Sequence, residues 1–221
     1  MTLTHWPLYG LRLRTPRLEL RLPEPEELDA LAELAVGGVH DPAVMPFVVP
    51  WTDLPPAGRA RSVMQYHWRM LGAWTPRNWT LPLAVFMDGV VVGSQSVGAE
   101  DFAVLREVTS GSWLGLRHQG RGVGTEMRAA VLHLAFAGLG AESAVTSALV
   151  GNAASAAVSR RLGYRENGVA RTLVRDALRH DQRFALDRGG WARHRAVPVE
   201  IEGLDACLAD FGAAPGADPA G

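Results

Sequence analysis

From Arg117 to Gly124 the chain reads Arg-His-Gln-Gly-Arg-Gly-Val-Gly, between a β-rich run (Ser110 to Leu116) and a helical run (Thr125 to Phe136). A strand that turns through glycines into a helix leaves several main-chain N–H groups unpaired at the helix start, where the helix dipole is positive. Gly120, Gly122 and Gly124 permit positive φ and close approach of a ligand to the backbone. Such a cradle binds phosphate. Arg117 and Arg121 add charge, and Thr125 adds a hydroxyl. A tight glycine turn without a ligand is the plain alternative.

The flanking patterns predict a mixed order. Arg17 to Leu22 alternates charged residues with leucine, as a half-buried strand does. Glu26 to Val36 and Ala57 to Leu71 carry apolar residues at helical spacing, the first stopped by Gly37 and Gly38. Between them, Asp41 to Pro56 holds five prolines and the bulky anchors Phe47 and Trp51, which predicts an ordered loop or short helices. Trp79 to Met87 and Val90 to Val97 flank Asp88-Gly89, a hairpin signal. Ser143 to Val150 reads as a strand and Asn152 to Leu162 as a helix followed by Gly163. Extended runs near Gly168–Leu173 and Gln182–Leu186 follow. A short run at Val197–Ile201, a weak helix at Leu204–Phe211 and a Gly/Ala/Pro tail close the chain. This order predicts an α/β fold, one mixed sheet with helices on both faces.

Three families of phosphate loop compete. A Walker loop needs lysine, and all 22 basic residues here are arginine, which excludes it. A dinucleotide fingerprint needs an acid at the end of the next strand, which instead ends Leu149-Val150-Gly151-Asn152. The third is the coenzyme A pyrophosphate loop, [QR]-x-x-G-x-[GA], which Arg117-x-x-Gly120-x-Gly122 fits.

Arg117–Thr125 with Glu126 resembles motif A of the GNAT N-acyltransferases. Asn152-Ala-Ala-Ser155 through Ser159 to Leu162-Gly163-Tyr164 resembles motif B in its RimJ/RimL-type form. Thr15-Pro-Arg17-Leu18-Glu-Leu20-Arg21 is similar to that subfamily's first strand. The three stand in the right order over residues 13–190. The segment His40 to Trp51, with Ser112-Trp113-Leu114-Gly115, is also similar to an actinobacterial branch linked with succinyl-CoA.

The resemblance implies a GNAT fold: a mostly antiparallel sheet whose two central parallel strands, here Ser110–Leu116 and Ser143–Val150, splay apart. Free amides near Leu114 and Leu116 would pair with the pantetheine arm, and one near Trp113 or Leu114 would face the thioester oxygen. Gln119, Gly120, Arg121, Gly122, Val123, Gly124 and Thr125, with Arg117, would hold the pyrophosphate. Asn152 would bond a pantetheine amide, and it also suits a helix N-cap. Many family members place a tyrosine four residues before the motif B glycine as general acid. Here Ser159 stands there, with Ser155 one turn earlier, and either hydroxyl is a candidate to reach the sulfur. The glutamate often found on the splayed strand is absent from Thr109-Ser-Gly-Ser-Trp113. Asp101, Glu100 and Glu107 are the nearby candidate bases, with His40 and His118 as further candidates, and a base acting through water is equally open. The expected acyl pocket comprises His40, Met45, Phe47, Trp51, Trp79 and Leu81, although some of the tryptophans suit a core equally well.

The implied reaction is transfer of an acetyl or succinyl group from an acyl-CoA cosubstrate to a primary amine, without a metal. The acceptor is left open between a protein N-terminus, a lysine and a small amine. A CoA-binding sensor without turnover is the alternative. A hydrolase reading of Gly93-Ser94-Gln95-Ser96-Val97-Gly98 fails because this is not G-x-S-x-G. Residues 1–190 are expected to form the GNAT domain and 191–221 a C-terminal extension. A formal net charge of −1 argues against coating nucleic acid or an anionic membrane. The absence of an apolar leader or a spanning segment, with a single cysteine, predicts a soluble cytoplasmic protein. The extended run at Val197–Ile201 suggests edge pairing in a homodimer or larger homo-oligomer.

Overall fold

The computed structural model describes residues 3–213. Its nine strands, in chain order, are β1 (Arg12–Arg14), β2 (Leu18–Arg21), β3 (Asn78–Met87), β4 (Val90–Glu100), β5 (Glu107–Leu114), β6 (Ser143–Leu149), β7 (Arg165–Val174), β8 (Ala177–Asp187) and β9 (Glu200–Glu202). They form one sheet in the order β7-β8-β6-β5-β4-β3-β2-β1-β9. Every neighbouring pair is antiparallel except β5 and β6. The helices are α1 (Pro25–Val36), α2 (Pro56–Gly72), the single turn α3 (Phe102–Leu105), α4 (Val123–His133), α5 (Ala153–Arg161) and α6 (Arg188–His194).

β3 explains the two-sided architecture. It is buried nearly throughout, so it reads as a continuous apolar run. Its Leu81, Leu83 and Val85 join the large core under α4 and the C-terminal segment, while Ala84 and Phe86 join a smaller core under α1 and α2. The Asp88-Gly89 turn has positive φ at both residues (52° and 76°), as a tight hairpin between right-twisted strands requires. Helix α1 starts with a capping box between Glu24 and Glu27.

The chain departs from its periodicity in three places. The two weak runs after Gly163 are one long hairpin, β7 and β8, whose cross-strand pairing no local pattern reports. Residues 188–194, rich in arginine, form α6, because Trp191 is buried against Phe136 and the Asp187 side chain accepts from the Gly190 amide. The Leu204–Phe211 segment is a 3-10 turn at Asp205–Cys207 and irregular turns rather than a helix. It still buries Cys207 and Phe211 in the large core. The expected run near Val197–Ile201 is β9, and it pairs with β1 at the sheet edge. The end of the Gly/Ala/Pro tail lies outside the described residues.

Candidate acyl-donor cleft

The sheet opens along the parallel pair β5–β6. Its register runs Glu107↔Ser143, Val108↔Ala144 and Thr109↔Val145, then stops. The Thr146 hydroxyl donates to the Ser110 carbonyl (3.1 Å) as a last cross-link. Beyond it β5 continues to Leu114 and β6 to Leu149 without pairing. Side chains of Gln95 and Ser96 on β4 donate to the Gly111 carbonyl, so Gly111 and, by strand alternation, Trp113 turn their main-chain groups toward β4. Ser112 and Leu114 therefore turn theirs into the gap. The Leu114 carbonyl accepts from Gln119 Nε2 (2.9 Å), which leaves the Ser112 groups and the Leu114 amide at the open edge.

The gap widens into a cleft of about 970 Å³ that reaches the glycine loop. Gly120 and Gly122 both have positive φ (72° and 79°), and Gly122 is the N-cap of α4. Among the described residues the amides of residues 120–124 find no internal hydrogen bond, whereas those of Thr125 and Glu126 already turn back to the Gly122 carbonyl. Five unpaired donors at a helix start suit a diphosphate. The loop is braced from behind. Glu126, nearly buried, accepts from Thr15 Oγ1 (2.6 Å), the Arg17 amide (3.2 Å) and Arg17 Nε (2.7 Å). Arg17 Nη1 also donates to the Arg121 carbonyl (3.1 Å). Thr15 and Arg17 of the first-strand motif thus hold the loop. Orphaned amides for a diphosphate beside an open strand edge for an amide chain fit coenzyme A.

On the α4 side of the gap lies Arg128, 5% exposed and, among the described residues, without a carboxylate partner. Its Nη1 donates to Ser159 Oγ (2.9 Å) and its Nη2 reaches Ser112 Oγ (3.4 Å). Its Nε is buried and has no hydrogen-bond partner among the described residues. Burial drives Arg128 below the usual guanidinium range and the Tyr164 phenol above its own. Arg128 lines the cleft, and no sequence motif marked it.

The structure sorts the expected site residues. Trp113, Leu114, Leu116, Gln119, Gly120, Gly122, Gly124, Thr125, Asn152 and Ser155 line the cleft with His40 and Phe47. Asn152 Oδ1 caps α5 by accepting from the Ser155 amide (3.1 Å). The Ser155 side chain has no internal hydrogen bond. Arg117, Arg121 and Val123 flank the loop without lining the cleft; Arg117 Nε donates to His118 Nε2 (2.9 Å), and Val123 is buried.

Other expectations are corrected. The Leu116 amide is spent on the Gly38 carbonyl (3.1 Å), and the Trp113 amide faces β4, so of these expected donors the Leu114 amide is the one that faces the gap. Ser159 is fully buried, receives Arg128 and donates to the Ser155 carbonyl (3.1 Å); it is not exposed to the cleft. Asp101 pairs with Arg77 (2.7 Å) at the closed end of the sheet, beside Glu100, and Glu107 accepts from Ser143 Oγ there. These acids stand at the wrong end of β5 to act as base. His40 Nδ1 contacts the Asp41 carbonyl (2.8 Å) and so carries the proton, while Nε2 is taken by Thr52 Oγ1 (2.7 Å). It has no free lone pair. Burial, then Arg117 and Arg121, lower the His118 pKa, and His118 does not line the cleft. Trp79 and Leu81 are core residues: the Trp79 indole donates to the Phe211 carbonyl (3.1 Å) and stacks on Trp74. Met45 is buried with Leu149 and Val174, and Trp51 sits between Phe47 and Trp113, so both back the cleft wall.

A family profile described as Acetyltransferase (GNAT) domain matches residues 17–165. Among solved structures, Mycobacterium smegmatis RimJ in complex with CoA-disulfide matches with a TM-score of 0.67 at 18% identity, over 92% of this chain and 95% of that one. An acetyl transferase from Salmonella typhimurium, described as modifying the N-terminal serine of 50S ribosomal subunit protein L7/L12, matches at 0.62 and 19%, over 78% and 96%. RimL, a ribosomal L7/L12 alpha-N-protein acetyltransferase in complex with coenzyme A, matches at 0.59 and 19%, over 78% and 95%. At these identities the structural likeness carries the fold. Among the described residues no helix is long and apolar enough to cross a membrane.

Proposed function

The chain belongs to the GNAT acetyltransferase family, and from that premise we propose that it moves an acetyl or succinyl group from an acyl-CoA thioester to a primary amine. The observation that carries this reading is the opening of β5 from β6 beside five unpaired loop amides. Gly120 to Gly124 receive the diphosphate. The Ser112 and Leu114 main-chain groups and the Asn152 side chain receive the amide chain. The Leu114 amide supports charge developing on the thioester oxygen. The Ser155 hydroxyl supports the departing sulfur, whose thiol pKa near 8.5 already makes it a tolerable leaving group. Positioning supplies most of the remaining acceleration.

The succinyl form of the reading is supported by Arg128. A guanidinium cannot shed its charge, and an unpaired buried charge calls for an anion. Ser155 and Ser159 are four residues apart on α5, a rise of about 6 Å, comparable with the reach of a four-carbon diacid beyond its thioester carbon. Arg128, bonded to Ser159, stands at that depth.

The acceptor we propose is an α-amine of a protein chain, the acceptor described for the RimL and Salmonella proteins. The protein is proposed to act in the cytoplasm, with residues 1–190 as the catalytic domain, 191–221 as an extension, and β9 as the edge of a homodimer. Calorimetry with acetyl-CoA, succinyl-CoA and CoA, followed by thiol release with peptide and small-amine acceptors, tests the reading. No binding by any of the three sinks it. Binding without thiol release would favour a CoA sensor, for which the missing glutamate at Thr109–Trp113 speaks.

A further inference from the structure

With Asp101, Glu100 and Glu107 at the closed end of the sheet, and Asp41 already accepting from the Ala43 amide (2.9 Å), the proposed transferase reading needs another acid at the amine's side of the gap. Asp181 stands there. It pairs directly with Leu149 on β6 and Ala170 on β7. Directly paired residues share a sheet face. Leu149 packs with Met45, Val174 and Phe47, whereas Ala144 and Ala148 belong to the core on the α4 side. Asp181 therefore projects on the face opposite α4, α5 and Ser155. It lines the cleft with His40, Asp41, Phe47 and Val48. Its Oδ1 is buried and has no hydrogen-bond partner. Along β8 its same-face neighbours are the exposed Arg179 and Arg183, and neither forms an ion pair with it among the described residues.

A buried acceptor left without a donor forfeits a hydrogen bond it would make in water, so a ligand that supplies a donor is favoured there. The donor side of the cleft is provided for by the loop, the β5 edge and Arg128. What approaches from the other face is the amine, which in water is a cation. We infer that Asp181 is the acceptor-site carboxylate: it docks the incoming ammonium and takes its proton. This rests on the transferase reading. The amine arrives as R–NH3+ and gives one proton to the Asp181 carboxylate, which passes it to solvent. The freed lone pair forms the C–N bond to the thioester carbon. The C–S bond breaks with its electron pair on sulfur. The second N–H proton ends on that sulfur through Ser155 or solvent, leaving an amide and a thiol.

The test uses the full chain and Asp181→Asn, with thiol release from acetyl-CoA and succinyl-CoA. One acceptor is a short peptide with a free α-amine; the other is trifluoroethylamine, already neutral at assay pH. The variant is expected to lose roughly 10²–10⁴-fold in kcat/KM with the peptide. The loss shrinks to within about tenfold with trifluoroethylamine, for which no proton need be removed before attack. Calorimetric affinity for CoA is unchanged, and Asp181→Glu recovers part of the rate. Equal losses for both acceptors, no loss at all, or a loss confined to CoA affinity each overturn the assignment while leaving the transferase reading intact. A wild-type chain that binds CoA but releases no thiol with either amine overturns both.

Discussion

Replacing Arg128 with methionine is expected to make the ligand-free protein more stable. The guanidinium is 5% exposed and, among the described residues, faces no carboxylate and makes one good hydrogen bond, to Ser159 Oγ at 2.9 Å. Losing that charge-assisted bond removes about 1.5–3 kcal/mol of stabilisation. Removing an uncompensated buried charge returns several kcal/mol, and apolar replacements of buried ionic groups gain about 1–4 kcal/mol. Ser159 is not orphaned, because its hydroxyl already donates to the Ser155 carbonyl. Methionine fills most of the space with a flexible apolar chain. The net expectation is a gain of roughly 1–3 kcal/mol, or about 2–12 °C in Tm for a chain of this size. Urea unfolding of the apo protein, with the m-value checked for constancy, measures it. The same variant should lose about 10–100-fold in affinity for succinyl-CoA relative to acetyl-CoA, the worth of one charge-assisted pair. If Arg128→Met unfolds at lower urea than wild type, the guanidinium is a structural keystone and the argument from unpaired charge is wrong.

Gly122→Ala places a Cβ at φ 79°, which costs about 1–2 kcal/mol and should weaken CoA binding roughly tenfold by calorimetry. Glu126→Ala removes the acceptor shared by Thr15 and Arg17; since Arg17 is half exposed, a loss of about 2–3 kcal/mol in urea unfolding is expected, with weaker CoA binding as the loop loosens. Ser155→Ala should lower kcat by about 10–100-fold with little change in CoA affinity, and an unchanged kcat would remove Ser155 from the leaving-group role. The Arg21 guanidinium, bonded to Glu27 at 2.6 Å, holds that carboxyl below its usual 4.5. A depressed folded-state value gives stability that is present above pH 4.5 and fades as pH falls below it; urea midpoints from pH 6 to 3 should show this, and Glu27→Gln should flatten it.

Much of the donor side of the cleft was readable because its causes are local. Glycines at 120 and 122 take positive φ, Asn152 caps the helix that follows it, and Asp88-Gly89 turns a hairpin, all within a few residues of the chain. The acceptor side was not readable in the same way. Asp181 lies in the run Arg-His-Asp-Gln-Arg, which by composition is a solvated charged strand. Only its pairing with Leu149 turns it into the cleft. Trp79 and Leu81 looked like pocket walls until Phe211, 132 residues from Trp79, closed over them.

Local periodicity and backbone freedom, carried by neighbouring residues, were enough to name a mixed sheet, a phosphate cradle and a family. Which side chains meet is a matter of contacts between residues far apart in the chain, such as Glu126 with Thr15 and Arg17, Arg128 with Ser112 and Ser159, and β9 with β1. Burial and hydrogen-bond satisfaction exist only once those segments are packed. That is why Arg128 and Asp181, unremarkable as letters, stand out as an unpaired cation and an unpaired oxygen in the folded chain.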